Sequence, residues 1–313
     1  MKKIFIAGHK GMVGSAIFRK LQNKPNRIVI ADKRKLNLLD QKSVLSFFKR
    51  NKFDEVYLCA AKVGGIHANT TYVADFIYQN LEIQNNLIHS AYLTKVKRLM
   101  FLGSSCVYPK KPKIPIKEEY LLTSELENTN EMYAIAKIAG LKLCKAYNSQ
   151  FKTDFRAVMP TNLYGQNDNY DNLNSHAFAA LIKKIILAKK QNKKSIIVWG
   201  TGKPKREFLH VDDLADATVK IMNLSKKKYN KIAGEKFPFI NVGSGTDISI
   251  KDLAKLISKI VGFNGKMIFD KSKPDGTYRK LMDNKKLKKI KWKPKISLNV
   301  GIKKTISDFK ATI

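Results

Sequence analysis

Residues 2–23 read KKIFIAGHKGMVGSAIFRKLQN. A short apolar run ending at Ala7 leads directly into Gly8, Gly11 and Gly14, and these into a helical pattern. A buried strand, a glycine turn and a helix start, in that order, form a cradle for a pyrophosphate. The glycines allow a tight turn, close backbone approach to the phosphates, and close packing of helix on strand. The spacing is G-x-x-G-x-x-G and not the commoner G-x-G-x-x-G. The position at the first strand–turn–helix junction, more than the triplet, carries the reading of a dinucleotide site. Gly8, Lys10, Gly11, Met12, Val13 and Gly14 are its expected residues.

Outward from that stretch the pattern repeats. NRIVIAD (26–32), FDEVYLCAA (53–61), RLMFLGS (98–104) and DFRAVMP (154–160) read as strands. QKSVLSFFKRN (41–51), VADFIYQNLEIQNNLIHSAYLTK (73–95) and NEMYAIAKIAGLKLCKAYNSQF (130–151) read as helices. Strands alternating with helices predict a parallel sheet with helices on both faces. The strands are apolar runs rather than alternations, as two covered faces require. The fold class is therefore α/β, a Rossmann-type doubly wound sheet. After Pro160 the texture changes. The stretch 161–176 reads as a polar loop, followed by a helix over 177–191, a strand SIIVWG (195–200) and a loop TGKPKREFLH (201–210). VDDLADATVKIMNL (211–224) reads as a helix capped by its aspartates, and further short strands and a helix follow. These segments predict a smaller α/β substrate-binding domain interleaved with the first. The expected division is 1–163 and 208–246 for the nucleotide domain, with 164–207 and 247–313 for the second.

The chain has 313 residues, enough for a large core, and 60 Lys+Arg against 25 Asp+Glu, a formal charge of +35. Such charge suits a polyanion, but the lysines are spread along the chain without a nucleic-acid-binding motif. Small phosphorylated ligands suffice to explain it, and nucleic acid is not an expected partner. No apolar run approaches a membrane span, and the amino-terminal run is too short for a signal peptide. Cys59, Cys106 and Cys144 are widely spaced and make neither a disulfide framework nor a zinc pattern. A reducing cytoplasm and no metal are the corresponding expectations.

At the end of the second strand, Asp32 is a candidate for ribose hydroxyls, as in NAD sites. Lys10, Lys33 and Arg34 crowd the same region, and three cations against one carboxylate favour the 2′-phosphate of NADP. YAIAK puts Tyr133 and Lys137 four apart on one helix face. A phenol is too weak an acid for work near neutrality, and an ammonium one turn along is expected to lower its pKa. Ser104 and Ser105 stand at a strand end beside Cys106, in FLGSSCVYPK (101–110).

The glycine turn, the strand-end serine and the Tyr-x-x-x-Lys pair resemble the extended short-chain dehydrogenase/reductase family. GSSCVYPK, AAKVGGI, NEMYAIAKIAGLKLC, MPTNLYG, REFLHVDD and SKPDGT narrow the resemblance to its epimerase-reductases of GDP-4-keto-6-deoxymannose. The resemblance runs from the first strand to about Lys280. It implies that Ser104 and Tyr133 hold the sugar oxygen, and that Lys137 also binds the nicotinamide ribose. It assigns Cys106 and His176 to epimerisation at C3 and C5, before NADPH reduces C4. Leu102, Gly103, Ser105, Pro160, Asn162 and Leu163 join the NADP(H) site, and Lys184, Trp199, Arg206 and Lys280 the GDP site. A homodimer through the helices near 75–94 and 131–150 is implied as well. Lys10, Lys33 and Lys184 stand where the family often has arginine, which keeps charge but loses bidentate geometry. Cys59 and Cys144 read as core filler, His9 as packing in the turn, and His210 as a cap or brace for the following helix. His67 and His89 carry no supporting context. Two other functions fit less well: C4 reduction of a related GDP-6-deoxy-4-keto-heptose with partial or no epimerisation, and a non-catalytic NADP- or polyanion-binding role.

Overall fold

The computed structural model describes residues 1–171, 175–273 and 275–311. Part of the polar stretch 161–176, and Pro274 of SKPDGT, lie outside them. In chain order the first elements are β1 (Lys2–Ala7), α1 (Met12–Gln22), β2 (Asn26–Val29), α2 (Gln41–Asn51) and β3 (Glu55–Leu58). Next come α3 (Ile66–Thr71), α4 (Val73–Leu93), β4 (Arg98–Leu102), α5 (Glu131–Phe151) and β5 (Phe155–Pro160). Then follow β6 (Asn162–Tyr164), α6 (Ala177–Lys190), β7 (Ser195–Trp199), β8 (Lys205–His210), α7 (Val211–Met222) and α8 (Lys226–Ala233). The chain continues with β9 (Phe239–Val242), β10 (Asp247–Ser249), α9 (Ile250–Val261) and β11 (Lys266–Asp270). It closes with β12 (Arg279–Lys280), α10 (Lys285–Lys289) and α11 (Leu298–Lys310).

The main sheet has the order β2-β1-β3-β4-β5-β9, with every neighbouring pair parallel. Alternate residues of each strand go to opposite faces. Phe5, Leu99, Phe101, Phe155 and Ala157 pack under α2, α4 and α5. Ile4, Ile6, Met100, Leu102 and Val158 pack with α1, α7 and α8. Both faces are buried, which is why the strands lack a polar alternation. The strand order reverses between β1 and β3, and the crevice at their carboxyl ends is where doubly wound sheets bind ligands.

A second core forms around Phe178, Ile182, Ile185, Leu253, Ile257, Ile302 and Phe309, from α6, α9 and α11. It packs β7, which pairs in parallel with β11, and β8, which lies between β10 and β12. β6 pairs with β8 as well. The stretch 201–210, expected as a loop, therefore contains a strand: its apolar Phe208 and Leu209 are buried between neighbours on both sides. The lysine-rich carboxyl end is ordered too, because Leu287, Ile290 and Trp292 fill the face shared with α7. The cap of α7 is His210, whose Nδ1 accepts the Asp212 amide at 3.2 Å, and not an aspartate. Asp213 instead accepts the amides of Lys295 and Ile296.

One buried cation ties the two layers of the α7 face. Arg156 on β5 is fully buried and forks onto Asp154 with two 2.7 Å bonds. Its third nitrogen donates to the carbonyls of Ile221 and Met222, the unsatisfied end of α7, and the guanidinium lies 4.8 Å from the Tyr229 ring centre. Removing Arg156 leaves two helix-end carbonyls buried without their donor, and Asp154 with Arg98 as its remaining cation. Arg156→Ala is expected to lower unfolding free energy by about 3–5 kcal/mol in urea denaturation. A loss under about 1 kcal/mol, the value of an exposed pair, would contradict this account.

Candidate active site

The cradle after β1 forms as its sequence implies. Gly8 has φ +85°, and a Cβ there would meet the backbone of Ala60 at 2.7 Å. A Cβ on Gly14 would collide with the Gly8 carbonyl, so this glycine serves helix–turn contact. The first turn of α1 has neither a side-chain cap nor an acid, leaving its amides open toward an anion. His9 keeps a buried Nδ1 without a hydrogen-bond partner. A cavity of about 710 Å³ opens here, lined by Gly8, Lys10, Gly11, Asp32, Lys33 and Arg34. Lys10 pairs with Asp32 at 3.6 Å. The Lys35 amide, and after it Lys10, hold the Asp32 carboxyl below its usual range. A dinucleotide fits this set: open helix amides for pyrophosphate, and cations beyond Asp32 for a 2′-phosphate.

Sequence reading missed the far wall of that cavity, formed by Asn37, Leu38, Leu39, Lys62, Gln79 and Ile83. Gln79 and Ile83 are one turn apart on α4, and this spacing was the available signal. Met12, Val13 and Leu163 are half-buried against the α7 face, while Leu102 and Ser105 are buried. Pro160 ends β5, and Asn162 donates its side chain to the Glu207 carbonyl at 2.9 Å. Gly103 has no room for a Cβ beside Met159.

Around the carboxyl end of β4 the catalytic candidates come together. Ser104 caps a single turn at 105–107, its Oγ accepting the Cys106 amide at 3.2 Å. The same hydroxyl is near enough to the Tyr133 phenol to oppose the rise in its pKa. Lys137 is buried and donates its Nζ to the Leu102 carbonyl at 2.9 Å, 5.8 Å from the Tyr133 ring centre. Desolvation draws its pKa down to about 8, with Cys59 opposing. The expected lowering of the Tyr133 pKa by Lys137 is not found. Burial raises it, Cys106 adds to the rise, and the Ser104 hydroxyl is the opposing influence. Cys106 is half-buried, with Asn130 Nδ2 3.5 Å from its sulfur. Cys144 lies in the core. Cys59 sits just beyond β3, not within it, and burial near Lys137 pushes its thiol up to about 12.

His176 stands at the start of α6 with its ring in no capping bond. It is exposed to solvent, and the protein around it lowers its pKa by desolvation. No hydrogen bond or ion pair joins it to Cys106 among the described residues. Arg206 interacts electrostatically with the sulfur: Cys106, then Glu127 and Asp275, offset the desolvation that lowers its pKa. Arg206 and Lys280 are register partners on β8 and β12. Lys184 donates to the Ile197 carbonyl of β7 at 2.7 Å, two residues before the exposed Trp199. Asp275 holds the following turn through the amide and hydroxyl of Thr201, at 2.7 and 2.8 Å. Of the four GDP candidates, Arg206 and Lys280 are thus neighbours, and Lys184 is tied to the strand that ends at Trp199. No group of three or more metal-ligating side chains occurs among the described residues.

Residues 4–233 match the model of the NAD dependent epimerase/dehydratase family. The GDP-L-fucose synthase of Escherichia coli (strain K12) is 50% identical over 309 residues, covering 98% of this chain and 96% of that protein. Among solved structures, a GDP-6-OMe-4-keto-L-xylo-heptose reductase from C. jejuni superposes with a TM-score of 0.94 at 40% identity, over 100% of this chain and 98% of that one. The GDP-mannoheptose C4 reductase MlghC from Campylobacter jejuni, with NADP bound, gives 0.90 at 41% identity, over 99% and 98%.

The buried Lys137 makes stability depend on pH in a defined direction. Its folded pKa, about 8, lies below the ordinary 10.5, so in between the unfolded chain holds a proton that the folded chain does not. Stability therefore rises with pH across that window. Relative to Lys137→Met, the wild type is expected to gain about 1 kcal/mol per pH unit above pH ~8 in urea denaturation. The opposite slope from Cys59 is common to both proteins. A constant difference between them would show that Lys137 titrates like a surface lysine.

Proposed function

Since this chain belongs to the NAD dependent epimerase/dehydratase family, we propose that it is an NADPH-dependent enzyme of GDP-L-fucose synthase type. It epimerises a GDP-4-keto-6-deoxymannose-type sugar at C3 and C5 and reduces C4. The observation that carries this reading is the meeting of two proton-handling sets at one strand end. Tyr133 lies within electrostatic reach of Ser104 and Cys106, while the Cys106 amide bonds the same serine and its sulfur interacts electrostatically with Arg206.

A ketone at C4 acidifies the hydrogens on both C3 and C5. Cys106 and His176 remove each proton and return one to the opposite face. The lowered pKa of His176 keeps its imidazole neutral near pH 7, able to accept a proton. NADPH, when bound, supplies the hydride that reduces C4. Ser104 orients the C4 oxygen, and Tyr133 protonates it as alkoxide charge develops. A raised pKa suits that task, because the phenol arrives protonated. Lys137, fixed on the Leu102 carbonyl, is placed to hold a ribose hydroxyl. Arg206, Lys280 and Lys184 supply positive charge for the diphosphate, and Trp199 a face for the guanine.

On this reading residues 1–163 and 208–246 bind NADP(H), and 164–207 with 247–313 bind the GDP-sugar. No helix among the described residues is long and apolar enough to cross a membrane, and we place the enzyme in the cytoplasm. Val73, Tyr78 and Leu93 on α4 and Phe151 on α5 are exposed apolar side chains that a homodimer through these helices would cover.

The test is incubation with GDP-4-keto-6-deoxymannose in deuterated water, first without NADPH and then with it. Deuterium at C3 and C5, followed by NADPH oxidation, is the expected result. Tyr133→Phe should slow oxidation about 10²–10⁴-fold and leave exchange intact, whereas Cys106→Ala should suppress exchange. Oxidation with no deuterium at either carbon would replace this reading with that of a C4 reductase, the activity named for the C. jejuni structures.

A further inference from the structure

We propose that Asn130 is the positioning residue that readies Cys106 to remove a proton, by donating its side-chain N–H to the sulfur. The inference rests on the function proposed above, in which Cys106 handles substrate protons. Asn130 directly precedes α5, the helix that carries Tyr133 and Lys137. An asparagine at that place ordinarily turns its oxygen back onto the open helix amides. Here it makes no capping bond. Its Nδ2 points instead to Cys106 Sγ at 3.5 Å, and its Oδ1 is buried with no hydrogen-bond partner. A buried acceptor left unpaired is costly, and a residue serving only the helix would not be held in that state.

The sulfur gains what the helix forgoes. A hydrogen bond donated to a thiolate favours the charged form over the thiol. Among the described residues, Tyr133 on α5 and Arg206 on β8 are titratable groups that interact electrostatically with the sulfur. Tyr133 is protonated and neutral near pH 7, so Arg206 is the cation of the set. Arg206 thus supplies charge and Asn130 a directed donor. In the proton-removal step, the thiolate forms an S–H bond as the sugar C–H bond breaks, and the electron pair moves onto the C4 oxygen as an enolate. Arg206 is also a candidate for the GDP diphosphate, so Asn130 is the partner given to the sulfur alone.

The experiment measures alkylation of the full-length, unliganded protein by iodoacetamide across pH, with the modified residue identified by peptide mass. Cys106 is the thiol this reads, since Cys144 is buried and burial pushes Cys59 up to about 12. In Asn130→Ala the rate at pH 7 is expected to fall about tenfold, with the profile moved to higher pH. Asn130→Asp keeps the shape but places a carboxylate beside the sulfur, and should fall further. Thermal midpoint and NADPH affinity report separately on folding and on the dinucleotide site, and both should stay at wild-type values. Deuterium exchange at C3 and C5 should fall in step with alkylation. Unchanged alkylation profiles in both variants would overturn the inference. A shifted profile supports it even where the wild type exchanges no deuterium, an outcome that would defeat the proposed epimerisation instead.

Discussion

The candidate site depends on how closely α5 can lie against β4. Gly140 makes that approach possible: a Cβ there would run into the Phe101 ring and the Gln84 side chain. Gln84 of α4 bonds the Ala136 carbonyl of α5 at 2.6 Å, locking the two helices over the sheet. At this separation Lys137 reaches the last carbonyl of β4 and is buried in doing so. One turn earlier the same helix sets Tyr133 against Ser104, and just before it Asn130 against Cys106. A single backbone approach thus brings five side chains together around one strand end. It also carries a cost, because an ammonium is held out of water and its pKa falls accordingly.

The second unit is tied to this point by Glu207. Its carboxylate is fully buried and accepts the amides of Gly245 at 2.6 Å and Met282 at 2.9 Å. Its carbonyl accepts Thr161 and Asn162, at the end of the main sheet. The residue therefore joins β8, the turn after β9, the segment after β12, and the exit of β5. Arg206 is its chain neighbour and Lys280 pairs with Arg206 in register, so both cations inherit their positions from this buried carboxylate. The surface lysines that dominate the composition contribute little to that geometry. They leave the protein strongly basic, while the cations that face the site are few and individually placed.

The elements most legible in the sequence were those written in short-range patterns. β1, the glycine turn and α1 follow from adjacent residues, and Tyr133 and Lys137 share a face because a helix repeats every 3.6 residues. The strand β8 was not legible. KREFLH is half charged, and it becomes a strand only because β6, β10 and β12 supply partners from distant parts of the chain. For a related reason the aspartates of α7 were misread as its cap, while His210 was legible as one. Asp212 and Asp213 resemble capping residues, but Arg19 draws off the first and the amides of 295–296 draw off the second. His210 takes the cap that remains.

The sequence by itself determined the α/β class, the dinucleotide cradle and the identity of the candidate chemical groups, since each is set by residue type and local spacing. Tertiary structure decided their electrical state and their partners. The phenol of Tyr133 is raised rather than lowered, because burial and Cys106 outweigh the opposing Ser104 hydroxyl, while the Lys137 ammonium is committed to a carbonyl. The pairing of Arg206 with Lys280, and of Asn130 with the Cys106 sulfur, likewise joins residues that no periodicity connects. Desolvation and long-range contact are sums over neighbours brought in by folding, and a linear reading of residues does not contain them.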